Sequence, residues 1–188
     1  KMPETTPRTN ATLRQMLGEV FADDHVALFG EEQEDPNAFT ALPFNHIVFT
    51  GSPRVGSLVM EQAARNLTPV TLELGGKSAS VVLDDADLSA AVKGTLSACF
   101  LNSGQTCSAH TRMLVPRAKY EEVKALAAQF AAAYVPGDPA QETTRLGPLI
   151  SAVQRDRVLG YIRKGLEEGA ELITGGADTP EGLSTGYF

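Results

Sequence analysis

The chain has no tryptophan, two cysteines and three histidines in 188 residues. Two thiols, Cys99 and Cys107, are too few for a disulfide scaffold or a four-cysteine zinc site. His25, His46 and His110 join no cluster of cysteines and carboxylates, so no metal site is expected. Positive charge is also short. Sixteen Lys and Arg against 23 Asp and Glu leave a net charge of −7. That balance argues against nucleic acid as a partner and against an anionic membrane surface. No apolar run approaches the roughly 20 residues that cross a bilayer. The opening Lys1-Met2-Pro3-Glu4-Thr5-Thr6-Pro7 is polar and lacks the apolar centre of a signal peptide. Free thiols then predict a cytoplasmic protein. What remains is ordinary for a globular chain: 43% apolar and 21% charged residues, enough for a core in one domain or two small ones.

Helical and strand-like patterns alternate along the sequence. Pro7 to Phe21 repeats apolar residues at Leu13, Met16, Leu17 and Val20, with Thr9 or Thr12 as cap. His25–Phe29, Ile47–Phe49, Pro69–Leu74, Ala79–Leu83, Thr111–Val115 and Glu171–Thr174 are short apolar runs that read as strands. Ser52 and Pro53 are the cap and first residue of a helix. Further helices are expected over Asp87–Leu101, Arg117–Tyr134 and Ser151–Glu168. Glu31–Asp35 reads as a solvated acidic loop, and residues 135–148 as a Pro/Gly loop. The alternation predicts an α/β fold with a mostly parallel sheet. Gly75-Gly76, a permissive pair between two strands, is the expected domain boundary. The turn-like residues before Gly186-Tyr187-Phe188 suggest a cut through a larger fold.

Three segments could carry chemistry. In Phe49-Thr50-Gly51-Ser52-Pro53-Arg54-Val55-Gly56, a strand runs through a glycine turn into a helix N-terminus. Free backbone N–H groups there suit an anion such as a phosphate; an ordinary well-capped turn has the same pattern. In Leu72-Glu73-Leu74-Gly75-Gly76-Lys77-Ser78, Glu73 is a carboxylate within an apolar strand. Held in a cleft it would suit general-base work; at a strand end it would simply face water. The Gly76-Lys77-Ser78 ending mimics a P-loop, but the first glycine of that motif would fall at Thr71. In Asn102-Ser103-Gly104-Gln105-Thr106-Cys107-Ser108, Cys107 lies in a small polar segment whose loop amides could support a nucleophilic thiolate. A plain reduced loop thiol fits equally well. Cys99, between Ala98 and Phe100, reads as packing. His110 lies too near Cys107 in sequence to make a typical dyad.

Taken together and in order, these strings resemble the NAD(P)-dependent aldehyde dehydrogenase superfamily. The likeness extends to Thr144-Arg145-Leu146-Gly147-Pro148-Leu149. Residues 25–74 look most like coniferyl-type aldehyde dehydrogenases, and residues from about 80 onward look like the general class. The resemblance implies a partial Rossmann-like nucleotide-binding sheet, residues 1–75, followed by part of an α/β catalytic domain, residues 76–188. It implies that the Cys107 thiolate attacks an aldehyde, that hydride passes to the nicotinamide, and that Glu73 activates water to hydrolyse the resulting thioester. The Cys107 backbone N–H would be one oxyanion donor. Gly51, Ser52 and Leu74 would contact the cofactor, and Ser52 would sit at the pyrophosphate. Lys1 and Glu4 would face the adenosine ribose, although Lys-Met-Pro-Glu stands where the family has Lys-Pro-Ser-Glu. A carboxylate there would repel a 2′-phosphate, which favours NAD over NADP.

Family members are well over twice this length. The resemblance therefore implies a central fragment, weak or inactive alone, of an enzyme that is a homo-oligomer when complete. A non-catalytic remnant keeping a partial nucleotide pocket is the competing reading. A cofactor-independent acyl transferase or hydrolase using Cys107 is a third.

Overall fold

The computed structural model describes residues 1–30 and 36–188; the acidic run Glu31–Asp35 lies outside the described residues. The chain divides into two compact units, Lys1–Gly75 and Gly76–Phe188.

The first unit is built on β1 (Ile47–Gly51), α3 (Pro53–Ala64) and β2 (Val70–Leu74), preceded by α1 (Pro7–Gly18) and the short α2 (Pro36–Thr40). β1 and β2 are parallel, with Ile47 opposite Val70 and Gly51 opposite Leu74. A parallel pair needs a crossover, and α3 supplies it. The N-terminus of α3 forms as the sequence predicts: Ser52 Oγ accepts the Val55 N–H at 3.3 Å and Pro53 opens the first turn. Val59 and Ala63 are buried, and Gly56 lies against Leu72 and Leu74 of β2. One sheet face is thereby covered. The other, with Val48, Thr50, Thr71 and Glu73, is exposed.

The second unit repeats the plan with β3 (Ala79–Val81), α4 (Leu88–Phe100) and β4 (Arg112–Leu114), followed by α5 (Tyr120–Ala131) and α6 (Ala152–Glu167). β3 and β4 are parallel, pairing Ala79 with Arg112 and Val81 with Leu114. Asp87 caps α4 by accepting the Ala90 N–H at 3.0 Å, and Ser151 caps α6 by accepting the Gln154 N–H at 3.2 Å. Val82, Val92, Ala109 and Val123 are buried here. Buried Thr95 on α4 is satisfied twice, by Ser80 Oγ at 2.7 Å and the Ala91 carbonyl at 2.8 Å.

Several expected elements differ. His25–Phe29 forms no strand. An apolar run becomes a strand only by joining a ladder, and the backbone hydrogen bond it receives comes from Met2 N–H to the Phe29 carbonyl. Glu171–Thr174 is likewise not a strand; Glu171 instead pairs with Lys124 of α5 at 2.7 Å. α1 stops at Gly18 rather than Phe21, and neither Thr9 nor Thr12 caps it. Pro7 opens it, and the Thr12 hydroxyl bonds back to the Arg8 carbonyl at 3.2 Å. α5 begins at Tyr120, after a separate tight turn at Arg117–Lys119. Among the described residues no helix is long and apolar enough to cross a membrane, and no group of three His, Cys, Asp or Glu could hold a metal ion.

Candidate functional site

In the first unit, the residues singled out from the sequence gather around one strand-to-helix turn. Gly51 ends β1, Ser52 is committed to capping α3, and Leu74 sits opposite Gly51 across the ladder. A Cβ at Gly51 would overlap the far end of the Phe49 ring, so a side chain there requires that ring to swing aside. Glu73 stands opposite Thr50 on the exposed face of the sheet. The functional reading placed Glu73 in a cleft and the other placed it at a strand end facing water; here it is exposed and does not line the cavity beside β1.

Beside β1 and the start of α3 lies a cavity of about 660 Å³. Its walls include Lys1, Glu4, Val48, Thr50, Val55 and Leu58, so segments far apart in sequence meet there. Gly51, Ser52 and Leu74 do not line it. Lys1 and Glu4 form an ion pair across one side. The Lys1 ammonium, chiefly through this hydrogen bond, holds the Glu4 carboxyl below its ordinary range. The ion pair shares the hollow with apolar side chains and with Thr40 and Thr50. What fixes this segment is invisible in the sequence. Asn10 of α1 is buried, and its Nδ2 donates to the Pro3 carbonyl at 2.7 Å. The Thr6 hydroxyl donates to Asn10 Oδ1 at 3.2 Å. An asparagine in an amphipathic helix reads as surface, so only the distant carbonyl reveals its work.

In the second unit, α4 runs directly into the segment that bears Cys107. After Phe100 the chain turns through Asn102 and Ser103, whose φ values are 51° and 55°, and Gly104, at 76°. Left-handed backbone costs an ordinary residue such as Ser103 about 1 kcal/mol or more, whereas asparagine and glycine tolerate it, so at Ser103 it persists because the surroundings enforce it. Thr106 and Ala109 then close a turn, Ala109 N–H to Thr106 carbonyl at 3.1 Å, with Cys107 in its first inner position. Cys107 is exposed. Cys99, back on α4, is half-buried, and burial pushes its thiol up while the charge of Lys77 opposes the shift. The two thiols therefore differ in exposure, Cys99 half-buried and Cys107 open to solvent. Gly76 packs near the Cys107 carbonyl at ordinary contact distance, 3.6 Å from where its Cβ would be. Neither Gly75 nor Gly76 takes the left-handed backbone that would demand glycine.

Chemically, the first unit offers a partly apolar hollow that holds one ion pair, beside a helix N-terminus. The second offers a reachable sulfur on a constrained turn. The aldehyde dehydrogenase family model matches residues 1–188. The chain is 51% identical over 142 residues to 3-succinoylsemialdehyde-pyridine dehydrogenase of a Pseudomonas species, covering 76% of this chain and 30% of that protein. Among solved structures, it resembles a cysteine-to-alanine mutant of aldehyde dehydrogenase C from Pseudomonas syringae complexed with NAD+ and octanal. There the TM-score is 0.81 at 44% identity, over 86% of this chain and 33% of that one. It also resembles a Mycobacterium tuberculosis aldehyde dehydrogenase complexed with NAD+, with a TM-score of 0.77 at 47% identity, over 80% of this chain and 31% of that one. The chain thus spans about 30% of the length of the curated relatives it matches.

Proposed function

The chain belongs to the aldehyde dehydrogenase family, and from that premise we propose that it carries the nucleophile, the base and part of the cofactor site of an NAD-dependent aldehyde oxidation. The observation that carries this reading is the exposed Cys107 thiol, three residues beyond the left-handed Asn102–Gly104 turn. A merely structural cysteine has no need of such a setting.

Residues 1–75 are then the C-terminal part of the nucleotide-binding domain, and residues 76–188 the N-terminal part of the catalytic domain. Lys1 and Glu4 hold the adenosine ribose in the cavity beside β1. An ionised Glu4 accepts hydrogen bonds from ribose hydroxyls and repels a 2′-phosphate, so the cofactor is NAD rather than NADP. Gly51 keeps the strand end slim, Ser52 sets the helix N-terminus toward the pyrophosphate, and Leu74 forms apolar wall nearby. NAD, when bound, supplies the acceptor for the hydride that leaves the substrate carbon.

The remaining chemistry belongs to the protein. The Cys107 sulfur bonds to the aldehyde carbon, and the oxygen gathers negative charge that the Cys107 backbone N–H stabilises. Oxidation of that adduct leaves a thioester on Cys107. Glu73 takes a proton from water, the hydroxide adds to the thioester carbon, and the carbon–sulfur bond breaks to release the acid and the thiolate. The aldehyde is the small-molecule partner. We place the complete enzyme in the cytoplasm as a homo-oligomer, and this chain by itself at little or no turnover. The span of about 30% of its relatives supports that last point, since losing even one oxyanion donor costs roughly 10²–10³ in rate.

The test is NADH formation at 340 nm with octanal, by the chain alone and by a full-length polypeptide carrying it. In the active form, Cys107→Ala should abolish turnover; activity above about a tenth of the parent would remove Cys107 as nucleophile. Glu73→Gln should keep a first burst of NADH and slow the later turnovers, and an unchanged steady rate would remove Glu73 as base. Calorimetry with NAD on the isolated chain separates a silent pocket, which binds without turnover, from one that has lost the cofactor.

A further inference from the structure

The segment that leads into Cys107 is fastened to one more than forty residues downstream. Ser103 Oγ donates to the Gly147 carbonyl at 2.9 Å, 44 residues away in sequence. The Ile150 N–H donates to Gln105 Oε1 at 3.0 Å, 45 residues away. Gln105 also faces inward. Its Nε2 donates to the Asn102 carbonyl at 3.3 Å, and its backbone N–H reaches the same oxygen at 3.1 Å. Asn102 returns the contact, Nδ2 to the Gln105 carbonyl at 3.3 Å. One side chain thus grips the left-handed turn with its donor end and the distant segment with its acceptor end.

We infer that Gln105 is a positioning residue for Cys107, acting by anchoring the Asn102–Gly104 turn to the Ile150 backbone. The inference rests on the reading of Cys107 as nucleophile and names what holds that nucleophile still. Its physical basis is conformational. Asn102 and Gly104 are exposed, so apolar packing does little to hold the turn. Left-handed backbone is disfavoured at Ser103, though asparagine and glycine tolerate it, so at Ser103 it is imposed by groups fixed elsewhere. A primary amide can donate to one carbonyl and accept from one N–H through two different atoms set at a fixed spacing. Asparagine offers the same pair one methylene shorter. Glutamate of equal length keeps the acceptor toward Ile150 and loses the donor toward Asn102. Leucine keeps bulk and loses both.

The test uses the full chain and iodoacetamide, with Cys107 and Cys99 alkylation followed separately by peptide mass spectrometry at one pH. Cys99, half-buried on α4, reports in the same molecule whether the fold is intact. In Gln105→Leu, Cys107 alkylation should fall about tenfold while Cys99 stays within about twofold. Gln105→Asn, which keeps donor and acceptor and adds no charge, should lose less of the Cys107 rate than Gln105→Leu. A Cys107 rate unmoved by Gln105→Leu would overturn the inference, and so would Gln105→Asn falling as far as Gln105→Leu. If Gln105→Leu unfolds, shown by Cys99 accelerating with Cys107, Ser103→Ala decides. A drop in Cys107 alone supports the anchoring, and no change overturns it. Turnover separates the two readings. If the intact enzyme forms no NADH yet Gln105 still governs Cys107, the dehydrogenase reading fails and this one stands. NADH formation with kcat indifferent to Gln105→Leu removes only this one.

Discussion

Cys99 and Cys107 are the same side chain in opposite circumstances, and the contrast can be measured. Alkylation requires the thiolate and access to it. Cys107 is exposed, whereas Cys99 is half-buried with its thiol pushed up by burial. Cys107 should therefore react first, and Cys99 should gain on it only as the pH is raised well into the alkaline range. Equal rates for the two at neutral pH would contradict the burial. Linkage has a definite sign for Cys99. A thiol raised on folding contributes stability that is present below the unfolded-state pKa and is lost as pH climbs toward the folded value. Glu4 works the other way. Its carboxyl is lowered by Lys1, so its contribution is present above the unfolded-state value and disappears as acid protonates it. The pair is solvent-facing, and such pairs are worth at most about 1 kcal/mol. The more telling prediction concerns recognition: Glu4→Gln should narrow the preference for NAD over NADP in calorimetry, because the charge that repels a 2′-phosphate is gone. An unchanged ratio would mean that Glu4 does not face the ribose.

At the scale of elements, what could be read in advance was whatever local chemistry determines. Ser52 and Ser151 cap helices because a short oxygen-bearing side chain satisfies the free N–H groups two or three residues on, and that requires no knowledge of the rest of the fold. The two β–α–β units followed from alternating patterns for the same reason. Strand status at His25–Phe29 and Glu171–Thr174 was illegible, since it depends on a neighbour that the pattern of the run itself does not specify. The candidate site divides similarly. Cys107, Glu73 and the Ser52 turn were visible as segments. Asn10 against Pro3, and Gln105 against Ile150, were not, because those contacts depend on how the chain folds back on itself. The β1–α3–β2 unit offers a direct check on packing. A Cβ at buried Gly56 would lie 3.0 Å from Leu74 Cδ2 and 3.6 Å from Leu72 Cδ1. Gly56→Val should force these leucines aside and cost roughly 1–3 kcal/mol, read as a lower urea midpoint. Gly94, with nothing within 4 Å of its Cβ position, is the control. Gly94→Ala should hold or raise the midpoint, since alanine favours a helix interior by about 1 kcal/mol over glycine.

Apolar side chains lie exposed on both two-stranded sheets. Among the described residues each sheet has two strands, β1 with β2 and β3 with β4, so each strand has an edge that no neighbour occupies within its sheet. Parallel sheets ordinarily have both faces covered, and two strands alone are marginal. Yet Val48 is 69% exposed, and Val81, Leu83 and Leu114 are 62%, 63% and 50% exposed. Val81 and Leu114 are ladder partners, which makes them one patch rather than scattered residues. Open edges beside apolar faces promote pairing with further strands, and the force that opposes this is the net charge of −7 at neutral pH. That charge falls to zero near pH 5.0 as Asp and Glu take up protons, so repulsion vanishes while the apolar patch is unchanged. Light scattering of the chain should rise sharply on titration from pH 8 toward 5 and respond to added salt at the upper end, where screening replaces protonation. Val81→Lys should blunt the rise. It places a charge in the patch at an exposed position, where substitutions ordinarily change stability by no more than about 0.5 kcal/mol. Scattering that is flat across this range, or equal in Val81→Lys and the parent, would show that the patch between β3 and β4 does not govern how these chains meet.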